Sequence, residues 1–350
     1  MNTPEERPNA SATPATTENL PIISVIIPVW NRCEDLKDTL LQLQRQTYDR
    51  YEVIVVDNDS PEPVSEMVRE HYPYVRLFKM AKNKGPVVAR NFGMRQAKGE
   101  IVLFLDSDTV PEDEALAKFA RKFASEPDLG VASGLQYDAT TGNPWWWWTQ
   151  HGFDEATWLH LEFETAFKFE EGAAAARKDV VLAAGGYPED FFIAAEGRDL
   201  AARITDAGYR VMYWPEVTFI HKAAQRLATN RWYRSDGRLY FEFRNEFWYT
   251  VKYFPLPLLL VKTTLNLGRN FRRALQYHAI KEFLRAYRDA LLGLPSNLRR
   301  RHVLKPATIY KITSERYKKA LGPLVPGKRE YEAELAAKSI SAKQEALAPV

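Results

Sequence analysis

The sequence predicts an α/β fold with a largely parallel sheet, and three apolar runs that each end in polar residues carry the prediction. Ile23-Ser24-Val25-Ile26-Ile27 leads into Pro28-Val29-Trp30-Asn31, and Glu52-Val53-Ile54-Val55-Val56 into Asp57-Asn58-Asp59-Ser60. Ile101-Val102-Leu103-Phe104-Leu105 ends in Asp106-Ser107-Asp108. Continuous apolar runs bounded by turn signals suit strands covered on both faces. Helical patterns separate the runs, giving a βαβα rhythm, and in such sheets ligands bind beyond the carboxyl ends of the strands. The polar clusters are therefore expected to converge on one site.

Taken in order, residues 1–20 are rich in Pro, Ala, Thr, Asn and Glu and read as a disordered tail, not a signal peptide. After the first strand a helix is expected from Cys33 to Gln46, with Leu36, Leu40 and Leu43 on its apolar face. Val75 to Phe78 reads as a short strand, and Asn83-Lys84-Gly85 opens a helix that stops at Gly99. Pro111-Glu112-Asp113-Glu114 puts proline and carboxylates where a helix begins, and Leu129 to Leu135 suggests a further strand. Gly142-Asn143-Pro144 places Trp145 to Trp148 on a loop. Trp145 and Trp146 are candidates to stack on a sugar ring; a bilayer interface and packing against the C-terminal region are the alternatives. Gly185-Gly186-Tyr187-Pro188 marks a turn, after which a helix runs from about Glu196 past Asp199 to Gly208.

From about Ala223 the chain becomes helical, aromatic and basic, so residues 223–350 are expected to form an extension on a domain of residues 21–222. The net charge is only +3, but Arg and Lys concentrate in that extension, as in Arg269, Arg272, Arg273 and Arg299-Arg300-Arg301. Its aromatic residues interleaved with cations suit an anionic membrane surface; an oligomer or domain interface ranks second. Nucleic acid is not expected, because no RNA-module signature appears. Phe254 to Val261 is too short to span a bilayer and contains Pro255 and Pro257. Cys33 is the only cysteine, which excludes an intrachain disulfide and a multi-thiolate zinc site, and suggests the cell interior, with peripheral contact at the inner membrane face.

The most specific chemistry lies at the third strand end. In extended backbone, residues two apart point the same way, so Asp106 and Asp108 address one divalent cation of the hard type, Mg2+ or Mn2+. An acidic turn is the alternative.

In order and spacing, ISVIIPVWNR, YEVIVVDNDS, NKGPVVARNFG, AKGEIVLFLDSDT and GGYPEDFFIAAEGRDLAARITDAGYRVMYWPEVTFIH resemble the family 2 glycosyltransferases, most of all the rhamnosyltransferase-type enzymes of bacterial surface-polysaccharide assembly. The resemblance implies the GT-A fold, a Rossmann-like mixed sheet, with a nucleotide-sugar donor, a divalent cation, inversion at the anomeric carbon, and a glycan or lipid-linked acceptor. It places Pro28, Asn31 and Asp57 at the donor's base and ribose, with Asp59 and Ser107 in the same strand-end clusters, and Arg90 near the phosphates. Asp106 and Asp108 match the DxD, and His221 matches a histidine that completes the metal site or contacts the diphosphate. Glu196 is the candidate general base, paired at i, i+3 with Asp199. Relatives usually carry two consecutive acids there, as EDxD or EExD, whereas this chain has Glu196-Gly197-Arg198-Asp199. If the base belongs to the second position, the chain is impaired, binding donor without turnover, or it uses Glu196 or another acid such as Asp190. Two rivals are weaker. IVLFLDSDTV fits the first motif of haloacid dehalogenase-type phosphatases but lacks their later motifs, and no GxGxxG follows the first strand to support a dinucleotide enzyme.

Overall fold

A computed structural model describes residues 19–144, 155–222 and 237–347. One sheet is built from β1 (Ile23–Val29), β2 (Tyr51–Asp57), β3 (Arg76–Lys79), β4 (Ile101–Leu105), β5 (Thr109–Pro111), β6 (Leu129–Asp138), β7 (Phe163–Glu164), β8 (Ala173–Arg177) and β9 (Arg210–His221). Its order is β3-β2-β1-β4-β8-β6-β9-β5, with β7 paired to β9. Strands β3, β2, β1 and β4 are parallel, and all of β1 and β4 is buried, as their unbroken apolar runs require.

Alternation along the strands feeds two cores. Val25 and Ile27 face Leu36, Leu40 and Leu43 of the helix Cys33–Gln44 and Phe119 and Phe123 of the helix Ala115–Ser125. Ile26, Val102 and Phe104 face the opposite way, towards Val87 and Met94 of the helix Pro86–Gln96 and Leu200 and Ile204 of the helix Glu196–Asp206. The expected strand from Leu129 extends to Asp138, and the expected helix from Cys33 ends two residues early, at Gln44.

β8 is antiparallel to β4, with Leu105 opposite Ala173. An antiparallel neighbour enters where a parallel strand leaves, so the residues before β8 lie beside the Asp106 end of β4. The Asp106 N–H donates to the Gly172 carbonyl at 3.1 Å.

The C-terminal region begins, among the described residues, with the helices Gly237–Tyr253, Leu256–Gln276 and Ile280–Leu292. It shares cores with the sheet domain. Tyr249, Tyr253 and Phe254 pack with Ala166 and Ala202, and Trp248 packs with Phe191. This corrects the expectation that these aromatics meet a membrane: Tyr240, Phe243, Trp248, Tyr249, Tyr253 and Phe254 are buried. Composition alone does not separate the two environments, because an aromatic with a polar tip suits both. No described helix is long and apolar enough to cross a membrane.

A buried ion network ties this region down. Asp199, 1% exposed, accepts from Arg203 Nη2 at 2.6 Å, Lys252 Nζ at 2.8 Å and the Tyr253 hydroxyl at 3.0 Å. Burial alone would raise the Asp199 carboxyl, but the charges of Arg203 and Lys252 outweigh it and hold the group below its ordinary value. A carboxyl depressed on folding adds stability that is complete above its unfolded value near pH 4 and is lost as pH falls through the folded value. Asp199→Asn leaves Lys252 buried beside a neutral group and should cost about 3–5 kcal/mol. Denaturant melts should show that loss at pH 7 and a smaller difference from the parent protein well below pH 4; equal stability at pH 7 would refute it.

Candidate functional site

The site begins at the carboxyl end of β4. Asp106 Oδ1 accepts from Arg90 Nη2 at 2.6 Å, and Asp108, 4% exposed, pairs with Arg32. His221 ends β9, and its Nε2 lies 3.6 Å from Asp108 Oδ1. Oxygens of Asp106 and Asp108 and a ring nitrogen of His221 lie within 4.8 Å of one another. Burial lowers the His221 pKa against the opposing pull of Asp106, which favours the neutral imidazole with a lone pair to offer. Burial pushes the Asp106 carboxyl up, yet the Arg90 charge outweighs it and holds the group below its ordinary value, so it stays anionic. Two anionic carboxylates and a neutral imidazole fit a divalent cation, with the remaining positions open to ligand oxygens or water.

Arg90, on the helix Pro86–Gln96, joins this cluster to a second one. Its Nη1 stands 3.7 Å from Glu196 Oε1, and both side chains are buried. Glu196 opens the helix Glu196–Asp206 after a backbone that bends against preference: Phe192, Ala194 and Ala195 have φ of 64°, 73° and 65°. Left-handed residues other than glycine cost about 1–3 kcal/mol each, so neighbours must hold them. Two residues of the helix Gly237–Tyr253 do so. The Asn245 amide lies within hydrogen-bond distance of the carbonyls of Phe191, Ile193 and Ala194 at 3.0, 2.9 and 2.8 Å. Arg244 Nη2 donates to those of Asp190 and Phe191 at 2.9 and 3.0 Å. The C-terminal region thus braces the loop that aims Glu196.

The β1 and β2 ends meet the same cluster. The Asn31 N–H donates to Ser60 Oγ at 3.1 Å, and Arg32, the next residue, reaches Asp108. Asn31 Oδ1 is buried without a hydrogen-bond partner among the described residues, an acceptor left for a ligand. Pro28 is buried inside β1. Asp57 is fully buried and its carboxylate serves its own turn, accepting from the Ser60 N–H at 2.9 Å and the Ser65 hydroxyl at 2.5 Å. Asp59 is exposed with φ 64°. Ser107 is buried, and its carbonyl accepts from the Thr39 hydroxyl at 3.1 Å. Asp199 is not brought to the cation cluster: its oxygens go to the buried network already described, so sharing chemistry with Glu196 is corrected to anchoring the helix that carries it. Asp190 pairs with Arg300 at 2.7 Å. Trp145 and Trp146 lie outside the described residues.

Sequence reasoning missed Arg32 and the bracing pair Arg244 and Asn245. Arg32 adjoins the Asn31 cluster and was within reach of that signal; the others have no local pattern.

Residues 24–182 match the family described as glycosyl transferase family 2. The glycosyltransferase AglE of Haloferax volcanii is 31% identical over 222 residues, which cover 59% of this chain and 69% of that protein. An N-acetylglucosaminyltransferase of Sinorhizobium fredii is 31% identical over 233 residues, 59% of this chain and 54% of that protein. Among solved structures, the mannosyltransferase PcManGT of Pyrobaculum calidifontis, in complex with GDP-Man and Mn2+, superposes with a TM-score of 0.55 at 20% identity, over 88% of this chain and 89% of that one. S. aureus TarS gives 0.56 at 15% identity, over 85% and 87%. These likenesses show a shared fold, the GT-A mixed sheet.

Proposed function

Since this chain belongs to the family 2 glycosyltransferases, we propose that it moves a sugar, with inversion, from a nucleotide-diphosphate donor to a hydroxyl of a glycan or lipid-linked acceptor in surface-polysaccharide or glycolipid synthesis. The observation that carries this reading is the joining of Asp106, Asp108 and His221 to Glu196 through Arg90.

Breaking a sugar–phosphate bond leaves negative charge on the departing nucleoside diphosphate. Asp106, Asp108 and His221 would hold Mg2+ or Mn2+, which neutralises that charge. Arg90 and Arg32, paired here with the DxD carboxylates, are placed to turn towards diphosphate oxygens once a cation takes those carboxylates. Asn31 offers its unpartnered Oδ1 to the nucleoside, beside the turn that Asp57 and Asp59 shape. Glu196 accepts the acceptor hydroxyl's proton as the new glycosidic bond forms and the electron pair of the broken bond goes to the diphosphate. A donor-side role also suits Ser107 and Pro28, which hold the strand ends in place.

Incubating the protein with UDP-, GDP- and dTDP-sugars, Mn2+ and octyl glycosides should release nucleoside diphosphate with one donor and give a product of inverted anomeric configuration by NMR. Donor binding by calorimetry without release would favour the impaired, donor-binding alternative; phosphate release from an aryl phosphate would favour a phosphatase.

Peripheral membrane contact is part of the same proposal and rests on leucines instead of aromatics. Leu256, Leu260, Leu267, Phe271 and Leu275 are exposed at spacings that put them on one stripe of the helix Leu256–Gln276, with exposed Arg272 on the same helix. Co-sedimentation with phosphatidylglycerol vesicles should exceed that with phosphatidylcholine and fall several-fold in Leu260→Glu/Phe271→Glu. Dimerisation abolished by those changes, without lipid binding, would assign the stripe to a second copy.

A further inference from the structure

The helix that carries Glu196 lacks an acid at its next position, and the structure fills that position from elsewhere. A Cβ on Gly197 would lie 2.0 Å from Glu171 Oε1 and 2.5 Å from its Cδ. The Glu171 carboxylate therefore occupies the space that any side chain at 197 needs. It is held there by the Gly197 N–H, which donates to Glu171 Oε1 at 2.7 Å. Its backbone position follows from the antiparallel entry of β8: Gly172, the next residue, accepts from the Asp106 N–H. Glu170, one residue earlier, pairs with Lys168 at 2.8 Å.

We propose that Glu171 is the second carboxylate of the proton-accepting site, supplied by the turn before β8 where the helix has glycine, and that it takes up the acceptor hydroxyl's proton in concert with Glu196. This rests on the glycosyltransferase reading. The hydroxyl's O–H bond breaks as its oxygen bonds the anomeric carbon, the proton passes to the carboxyl pair, and the electron pair of the sugar–phosphate bond leaves with the nucleoside diphosphate. Exposure separates the two acids: Glu196 is 5% exposed beside Arg90, whereas Glu171 is partly open. Burial, with Glu196 and Glu170 as neighbouring carboxylates, pushes the Glu171 carboxyl up to about 7. A base is most effective when its pKa lies near the working pH.

A carboxylate that only capped the helix would behave differently. Glu171→Gln keeps an oxygen for the Gly197 N–H and removes the charge, so a cap alone predicts little change in turnover. The proposal predicts kcat reduced about 100-fold, with donor KM and thermal midpoint close to the parent values. Gly197→Asp alone should lower turnover, because its side chain collides with Glu171, and Glu171→Gly/Gly197→Asp should recover at least tenfold over Glu171→Gly. The assays use the UDP-, GDP- and dTDP-sugar panel with octyl glycosides. Turnover by Glu171→Gln within threefold of the parent, with Glu196→Gln inactive, overturns this inference alone. A folded parent protein that turns over no donor overturns it together with the reading beneath it.

Discussion

Replacing Asp108 by alanine should lower sugar transfer by at least about a hundredfold while the protein remains folded. Asp108 stands at the junction of the site, contacted by Arg32 from the β1 end and lying 3.6 Å from His221 at the β9 end. Its loss takes one of three clustered donor groups from the candidate cation site and leaves Arg32 without its carboxylate. The deficit should lie in kcat, because charge on the leaving diphosphate is greatest in the transition state. Raising Mn2+ should recover little of it. Asp108→Asn, which keeps the shape, should show the same loss and so separate charge from packing. A thermal melt within a few degrees of the parent serves as the folding control, and transfer within tenfold of the parent would remove Asp108 from its assigned role.

Glu196→Gln should reduce transfer by about 10²–10⁴-fold, the usual span for loss of a general base. The substitution keeps volume and hydrogen-bonding capacity at a side chain 3.7 Å from Arg90, so donor binding should change little. The effect should be confined to turnover, and Glu196→Asp, which withdraws the carboxylate by one methylene, should fall between the two. Near-parental turnover by Glu196→Gln would show that the proton leaves by another route. The bracing of the preceding loop by Arg244 and Asn245 explains how Glu196 is held behind left-handed alanines.

The parallel half of the fold was legible because β1, β2 and β4 are covered on both faces, and burial on both faces writes itself as an unbroken apolar run ending in polar residues. The same rule led to Asp106 and Asp108. Of the antiparallel half, the strand from Leu129 was legible and β8 was not. β8 consists of Ala173-Ala174-Ala175-Ala176-Arg177, and alanine favours helix over strand, so nothing local marked it as a strand. Asp199 illustrates a different failure. Its i, i+3 spacing from Glu196 is real, but the helix lies between two layers, and the charges meeting Asp199 come from Lys252 and Arg203. The second of these is local, and the first is more than fifty residues away. Likewise the aromatics after Ala223 were read for a membrane because their partners, Phe191 and Ala202, lie in the earlier domain.

Side chains from separate strands should gather on one cation that grips a donor's diphosphate. Electron paramagnetic resonance of free Mn2+, titrated with and without UDP or GDP, tests it most directly, because two ligands sharing a site must each tighten the other by the same factor. One nucleoside diphosphate should raise Mn2+ affinity at least tenfold, and Asp108→Ala should abolish the increase. Mn2+ binding that ignores both nucleotides and is equal in the parent and Asp108→Ala would contradict it.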